Sequence, residues 1–318
     1  MTTLARTGAR LTGRGPGRPD RAFRIGARSA ALLVVGLLVV LLVLLGTGGA
    51  EALGRFGIVG FVTGTTWDPV RDVYGALPYI VGTLASSTIA ILIATPIALL
   101  TAVYLAELAP RRVAIALTFL VELIAAIPSV VIGLWGIFVL TPFLRDTVEA
   151  PLSGALGGSL PIFAGPPLGV GLFAAGVILA IMILPTIVSI SREVIASVPG
   201  GQREAMFALG ATRWEVVTRA VIPFARSGII GAIILGLGRA LGETMAVTMV
   251  IGNGSAVPHS LFDQAQTISS QIATTFPEAQ AGIQTSSLIA LGLVLLALTL
   301  ALNAAARLLV ARSTGGER

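Results

Sequence analysis

A basic and an acidic residue stand within the apolar stretch 226–253. Arg239 and Glu243 are four residues apart, so on one helix they would share a face and could pair. A charged side chain at the centre of a membrane costs about 3 kcal/mol on insertion scales, so it is expected where it meets a partner or a polar pathway. The arginine guanidinium is a planar fork of donors that suits an oxyanion. We therefore expect one helix over 226–253 to line the route of an anion.

The same two residues allow a second interpretation. A salt bridge between Arg239 and Glu243 could hold two helices together, and the two roles can coexist. In the pathway interpretation, Glu243 neutralises Arg239 when the pathway is empty, and the anion competes with Glu243 for the arginine. Small residues on the same stretch predict close helix packing, because Gly238 and Gly242 form a GxxxG step and Gly228 is a further glycine.

The composition indicates that the whole chain belongs in a membrane. Hydrophobic residues make up 55% of it and charged residues 11%, whereas a soluble domain carries about 25% charged residues. The net charge of +6 would suit nucleic acid, but the distribution of the arginines along the chain argues against that partner. We predict an integral membrane protein with no nucleic-acid partner.

Several kinds of site are excluded by residues that the chain lacks. It has no cysteine, and its one histidine, His259, cannot build a histidine-based metal site alone. It has no lysine, so it has no Walker A loop, which requires GxxxxGK[ST] to hold nucleotide phosphates. We expect no catalytic residues, no metal and no cofactor. ATP hydrolysis, if it is needed, would be done by a partner subunit.

Six apolar stretches are long enough to cross a membrane as helices. The first is 29–45, for which a cleaved signal peptide is the alternative. The other five lie in a core over 78–311, at about 78–105, 113–140, 167–190, 227–252 and 285–309. Residues 1–28 are basic and rich in glycine and proline, so we expect a disordered leader that is attracted to anionic membrane lipid. The stretches 141–166 and 253–284 are expected to lie outside.

Arginine positions predict the orientation, and one acid remains inside a predicted span. The proposed outer side has only three arginines, Arg55, Arg71 and Arg145, so both termini should be cytoplasmic. Glu122 lies within the predicted third span, which Pro128 should bend. Glu122 is either a pathway residue or a structural acid that pairs with another helix.

The polar inner loop, residues 191–225, has the signals of two short helices. Glu204 to Leu209 should form the first helix and Gly210 should break it. Thr212 can cap a second helix, which Pro223 should end. A helix–glycine–helix unit at the membrane surface would make a compact knob that fits a groove on a partner.

This loop resembles the EAA loop of ABC-importer permeases. The string EAMFALG, followed after nine residues by AVIP, matches the pattern EAA-x3-G-x9-I-x-L-P at Glu204, Ala205, Gly210 and Pro223. Met206 replaces the second alanine, and Ala220 and Ile222 replace the isoleucine and leucine. The resemblance implies that the stretch from Glu204 to Gly210 is the coupling helix, which inserts into a cleft of an ATPase subunit.

Two further strings make the resemblance more specific. VELIAAIPSVVIGLWGIF and GLGRALGETMAVTMVIGN closely resemble the C-type permease of the phosphate-specific (Pst) ABC importer, which belongs to the type I ABC-importer permease (MetI-like) family. The resemblance implies an all-α fold of six transmembrane helices in the cytoplasmic membrane. It also implies that phosphate is the substrate. The implied partners are a second permease of related fold, a dimer of ATP-binding-cassette ATPases and an extracytoplasmic phosphate-binding protein.

Three alternatives remain open from the residues alone. A permease for another oxyanion, such as sulfate or molybdate, would have much the same loop. A secondary anion transporter would use ion gradients and internal repeats. The third alternative is a membrane scaffold or sensor subunit.

Overall fold

The structure, a computed structural model, describes the backbone of residues 18–314 and the side chains of residues 23–308. The predicted leader therefore lies mostly outside the described residues. The chain divides into two compact units with the boundary after Thr47. The helices are α1 (Arg18–Gly48), α2 (Ala50–Phe56), α3 (Ile58–Thr63), α4 (Leu77–Val103), α5 (Arg111–Ala126), α6 (Ser129–Trp135), α7 (Thr141–Leu144), α8 (Ala150–Leu156), α9 (Leu172–Ala196), α10 (Gly200–Ala208), α11 (Arg213–Val216), α12 (Ile222–Gly242), α13 (Met245–Val250), α14 (Ile268–Thr275) and α15 (Ile283–Thr314).

The fold is all-α apart from one short hairpin, as predicted. Strand β1 (Trp67–Asp68) pairs antiparallel with β2 (Val73–Tyr74), and Trp67 lies opposite Tyr74. Within the described residues, six helical stretches are long and apolar enough to cross a membrane, which confirms the predicted number. They are Phe23–Gly48, Leu77–Leu108, Ser129–Leu156, Leu172–Ala196, Arg213–Gly242 and Ile283–Leu308.

The first unit contains α1 up to Thr47, and this helix begins earlier than predicted. It starts at Arg18, so residues 18–28 are helical and the expectation of disorder for that part of the leader is wrong. Pro19 is compatible with this start because proline lacks a backbone N–H, and N–H groups in the first turn of a helix have no intrahelical acceptor. The predicted span 29–45 lies inside this helix.

The second unit is built around α9. Its side chains are the most completely buried among the candidate spans, and α4 and α12 pack along it. Alanines of α4 and isoleucines of α9 form much of this core. Small residues on one helix and branched residues on the next let the two backbones approach closely.

The predicted third span is wrong in its boundaries. No single helix covers 113–140, because α5 ends at Ala126 and α6 begins at Ser129. Ile127 is extended, with ψ 127°, as expected for a residue before proline, so Pro128 breaks the helix rather than bending it. The chain then continues as one helical stretch, Ser129–Leu156, which includes two π turns. Most of the predicted outer loop 141–166 is therefore helical.

Two predictions about the fifth span are also wrong. Pro223 does not end the helix that Thr212 begins, because the helical stretch Arg213–Gly242 runs through it. The π turn Val217–Val221 comes directly before Pro223. We attribute the continuity to this wider turn, which gives the proline ring room against the preceding carbonyl. The second wrong prediction is a single helix that reaches residue 253. In the structure α12 ends at Gly242, and α13 is a separate short helix.

Candidate functional site

The break between α12 and α13 lies at Glu243. This residue is extended, with φ −69° and ψ 133°. Its backbone carbonyl accepts a hydrogen bond from the Ser269 hydroxyl at 2.7 Å. Its carboxylate Oε1 lies 3.5 Å from the backbone nitrogen of Ala246, in the first turn of α13. The break is thus held by polar contacts on both sides, which satisfy backbone groups that the interrupted helix leaves unpaired.

Arg239 lies one turn before this break, in the last turn of α12, and it is exposed. Among the described residues no salt bridge joins Arg239 to Glu243, so the predicted pairing is wrong. The reason is geometric: the helix ends at Gly242, so the two side chains do not keep the i, i+4 relation of one helix. A cation is nevertheless favourable in the last turn of a helix because of the helix dipole.

Glu122 is on α5 and is exposed. Within the part of the chain that the structure describes, it forms no ion pair or hydrogen bond with Arg239 or Glu243. No residue of α5 is buried. Among the residues that the structure describes, the three predicted pathway residues are therefore not joined to one another by salt bridges.

A polar cluster beside the break was not predicted. Helix α14 lies in the stretch 253–284, which was expected to be an outer loop. Thr267 and Ser270 form a reciprocal capping box at its start, and the Thr83 hydroxyl of α4 accepts a hydrogen bond from the backbone N–H of Ile268 at 2.9 Å. The threonine that precedes the helix, three residues before a serine, was the available sequence signal.

The glycines of α12 differ in what they face. A Cβ added at Gly228 would lie 2.4 Å from Val194 of α9, and one at Gly236 would lie 2.8 Å from Ile187. These glycines therefore permit the close packing of α12 on α9, as expected for Gly228. Gly238 and Gly242 have no described atom within 4 Å of such a Cβ. The predicted GxxxG face is open in this chain.

The local structure of the loop over 191–225 is close to the prediction up to Thr212. Helix α10 covers Glu204, and Gly210 follows it with φ +82°, a conformation that glycine adopts without strain. Thr212 then caps α11: its hydroxyl accepts from the backbone N–H of Glu215, whose side chain accepts from the Thr212 N–H. The connection between α9 and the long helical stretch Arg213–Gly242 is shorter than the predicted 191–225, because α9 extends to Ala196 and that stretch starts at Arg213.

The loop presents apolar side chains to its surroundings. Glu204 and Ala205 are exposed, as are Phe207, Leu209 and Trp214. Met206 packs against a buried cluster that includes Ala102 of α4, Ile195 of α9 and Ala225 of α12. The α10 surface that is open in this chain therefore includes the glutamate and the first alanine of the EAMFALG string.

A second unpredicted feature is the attachment of α10. The Arg203 Nη2 atom lies 2.6 Å from Oε1 of Glu107, which is in the π turn Tyr104–Leu108 at the end of α4. Sequence reasoning did not identify this pair because the two residues are 96 positions apart. Next to it, Glu107, Leu108 and Phe207 help to line a cavity of about 230 Å³. Within the described residues, no cluster of three or more His, Asp or Glu side chains could hold a metal ion.

Comparisons with known proteins agree over most of the chain. Residues 94–315 match the family model described as "Binding-protein-dependent transport system inner membrane component". The phosphate transport system permease protein PstC of Mesorhizobium japonicum is 47% identical over 92% of this chain and 90% of its own length. PstC of Haemophilus influenzae is 45% identical over 89% and 90%. A crystal structure of a bacterial ABC transporter that imports alginate has the same fold, with TM-score 0.60, 19% identity, and coverage of 92% of this chain and 99% of that one.

Proposed function

Because the chain belongs to the family of binding-protein-dependent transport system inner membrane components, we infer that it is a permease subunit of an ATP-driven ABC importer for inorganic phosphate. The observation that supports phosphate as the substrate is the similarity to phosphate permeases, at 47% and 45% identity over about nine tenths of each chain. The six apolar spans and the family description, which names an inner membrane component, support a multi-pass protein of the cytoplasmic membrane.

We propose that the subunit works in a complex. Its partners would be a second permease of related fold, a dimer of ATP-binding-cassette ATPases and an extracytoplasmic phosphate-binding protein. The family description, which names binding-protein-dependent transport, supports this composition. The absence of lysine, and hence of a Walker A loop, supports the assignment of ATP hydrolysis to the partner ATPase.

We propose that α10 is the coupling helix. Glu204, Ala205, Met206, Gly210 and Pro223 are the positions that carry the resemblance to the EAA loop. The exposure of Glu204 and Ala205 supports contact with the ATPase, as do the exposed apolar side chains of Phe207, Leu209 and Trp214. Exposed apolar surface rimmed by polar residues is typical of a protein interface. On this proposal the loop and both termini are cytoplasmic, as the arginine distribution favours.

We propose that Arg239 lines the phosphate pathway. It is exposed, and it forms no salt bridge with any described residue, so its guanidinium fork is available for phosphate oxygens. Glu243 would set the break in the pathway helix at which Arg239 is presented. Glu122, on the exposed helix α5, is a further candidate pathway residue, with pairing to a helix of the second permease as the alternative.

The test of this function is ATP-driven uptake of labelled phosphate. Vesicles would contain this chain with its co-purified partners and the binding protein, and excess sulfate or molybdate would be added as competitor. We expect uptake that requires ATP and that neither competitor reduces. Transport of another oxyanion in preference to phosphate would overturn the substrate, and uptake without an ATPase would overturn the transporter class.

A further inference from the structure

Arg203 connects the loop helix α10 to two of the long helices. Its Nη2 atom donates to Glu107 Oε1 at 2.6 Å, and its Nε donates towards both carboxylate oxygens at 3.2 Å. It also donates to the backbone carbonyls of Ile195, at 3.0 Å, and Val198. One guanidinium thus contacts the end of α4, the end of α9 and the residues that lead into α10.

The surroundings make this contact stronger than an ordinary surface ion pair. The side chains of Arg203 and Glu107 are 21% and 12% exposed, and the fork geometry restricts how the guanidinium and carboxylate can be arranged. Exposed pairs usually contribute little, because water and salt screen them. Arg219 and Glu215 in the same region form such a pair, with a 3.6 Å separation and an arginine that is 71% exposed.

The rest of α10 lies near the surface of the described fold. None of its residues is buried, and Met206 is the α10 side chain that packs against the neighbouring apolar cluster. The chain turns on both sides of the helix, at Pro199 before it and at Gly210, with φ +82°, after it. These turns would allow α10 to tilt if nothing held it to α4 and α9.

We propose that the Arg203–Glu107 ion pair is the strut that transmits displacement of α10 to α4 and α9 during transport. This inference rests on the proposed function, in which the ATPase binds α10. With the strut in place, a push on α10 moves the inner ends of both helices. Without it, α10 tilts about its two turns and the push is lost. Arg203 and Glu107 are thus positioning residues and do not contact phosphate.

The experiment measures phosphate uptake and ATP hydrolysis in the same vesicles of the reconstituted complex. We expect Arg203→Gln and Glu107→Gln to assemble and to hydrolyse ATP, but to move at least roughly fivefold less phosphate per ATP, which is the lower range of an allosteric coupling. Arg203→Lys keeps the charge without the fork, so its ratio of phosphate to ATP should fall between those of Arg203→Gln and the unmodified chain. Arg219→Gln, which removes the exposed pair, should behave like the unmodified chain.

Two results would overturn the proposal that the Arg203–Glu107 pair transmits the displacement of α10. One is an unchanged ratio of phosphate to ATP in Arg203→Gln. The other is failure of Arg203→Gln, Glu107→Gln and Arg203→Lys to assemble, which would make the pair a folding contact. If the unmodified complex moves no phosphate, the proposed substrate fails instead. The strut is then tested by stimulation of ATP hydrolysis by the binding protein, which Arg203→Gln should lose and Arg219→Gln should keep.

Discussion

At the scale of single residues, the end of α12 determines what surrounds Arg239. The helix stops at Gly242, before Glu243, so Arg239 lies at the C-terminal end of α12. The helix dipole there favours a positive charge by about 0.3–1 kcal/mol. Among the described residues no carboxylate forms a salt bridge with Arg239, so its guanidinium is open to an anion.

We predict that Arg239→Gln abolishes phosphate uptake while the complex still assembles. Each charge-assisted hydrogen bond that is lost contributes about 1.5–3 kcal/mol, which is roughly tenfold or more in rate if it acts in the limiting step. Arg239→Lys should keep part of the activity, because it keeps the charge and loses the bidentate fork. Initial uptake rates measure the effect, and size-exclusion chromatography checks assembly. Normal uptake by Arg239→Gln would remove this residue from the pathway.

At the scale of elements, the break in the fifth span depends on α14. The Ser269 hydroxyl donates to the Glu243 carbonyl, which belongs to the interrupted helix. The N-terminal end of α14 is in turn held to α4 through Thr83. Three elements that are distant in sequence therefore meet at the point where α12 presents Arg239. Displacement of α14 would change the geometry of the break.

We predict that Ser269→Ala destabilises the complex and lowers uptake. The Glu243 carbonyl is part-buried, and loss of a donor to a fully buried group costs about 1–3 kcal/mol, so we expect a cost towards the lower end of that range. The matched control is Ser287→Ala, because Ser287 is also buried but its hydroxyl donates to Ile283 of its own helix. Thermal unfolding of the purified complex should show a larger downward shift for Ser269→Ala. Equal shifts in the two variants would mean that the contact to Glu243 contributes nothing specific.

The elements also show what the sequence could predict. The number of spans, the glycine turn after α10 and the Thr212 cap follow from local composition and local hydrogen bonding, so they were predictable. The break at Glu243 and the Arg203–Glu107 pair depend on partners 26 and 96 residues away, and one sequence gives no such distances. At Pro128 the local signal was present, but whether a proline bends or breaks a helix depends on what satisfies the freed backbone groups.

At the scale of the whole molecule, several faces are open that a permease partner would cover. Helix α5 has no buried residue. Between α5, α6 and α9 lies a groove of about 340 Å³ lined by apolar side chains. No described atom lies within 4 Å of a Cβ added at Gly238 or Gly242 of α12, and Arg239 lies between these two glycines in sequence. A second permease packed on this face would place its own helix beside the proposed pathway.

We predict that Gly238→Leu prevents assembly with the second permease without destabilising this chain. Nothing described lies within 4 Å of a Cβ at Gly238, so the new side chain would start in open space in this chain, whereas a close-packed partner helix would leave no space for it. Gly236→Leu is the contrast on the same helix: its Cβ would lie 2.8 Å from Ile187, so it should destabilise the chain itself, typically by about 1–3 kcal/mol. Co-purification measures assembly, and thermal unfolding of the isolated subunit measures stability. If Gly238→Leu co-purifies normally and transports phosphate, this face is not the permease interface, and the route past Arg239 must be completed by another surface.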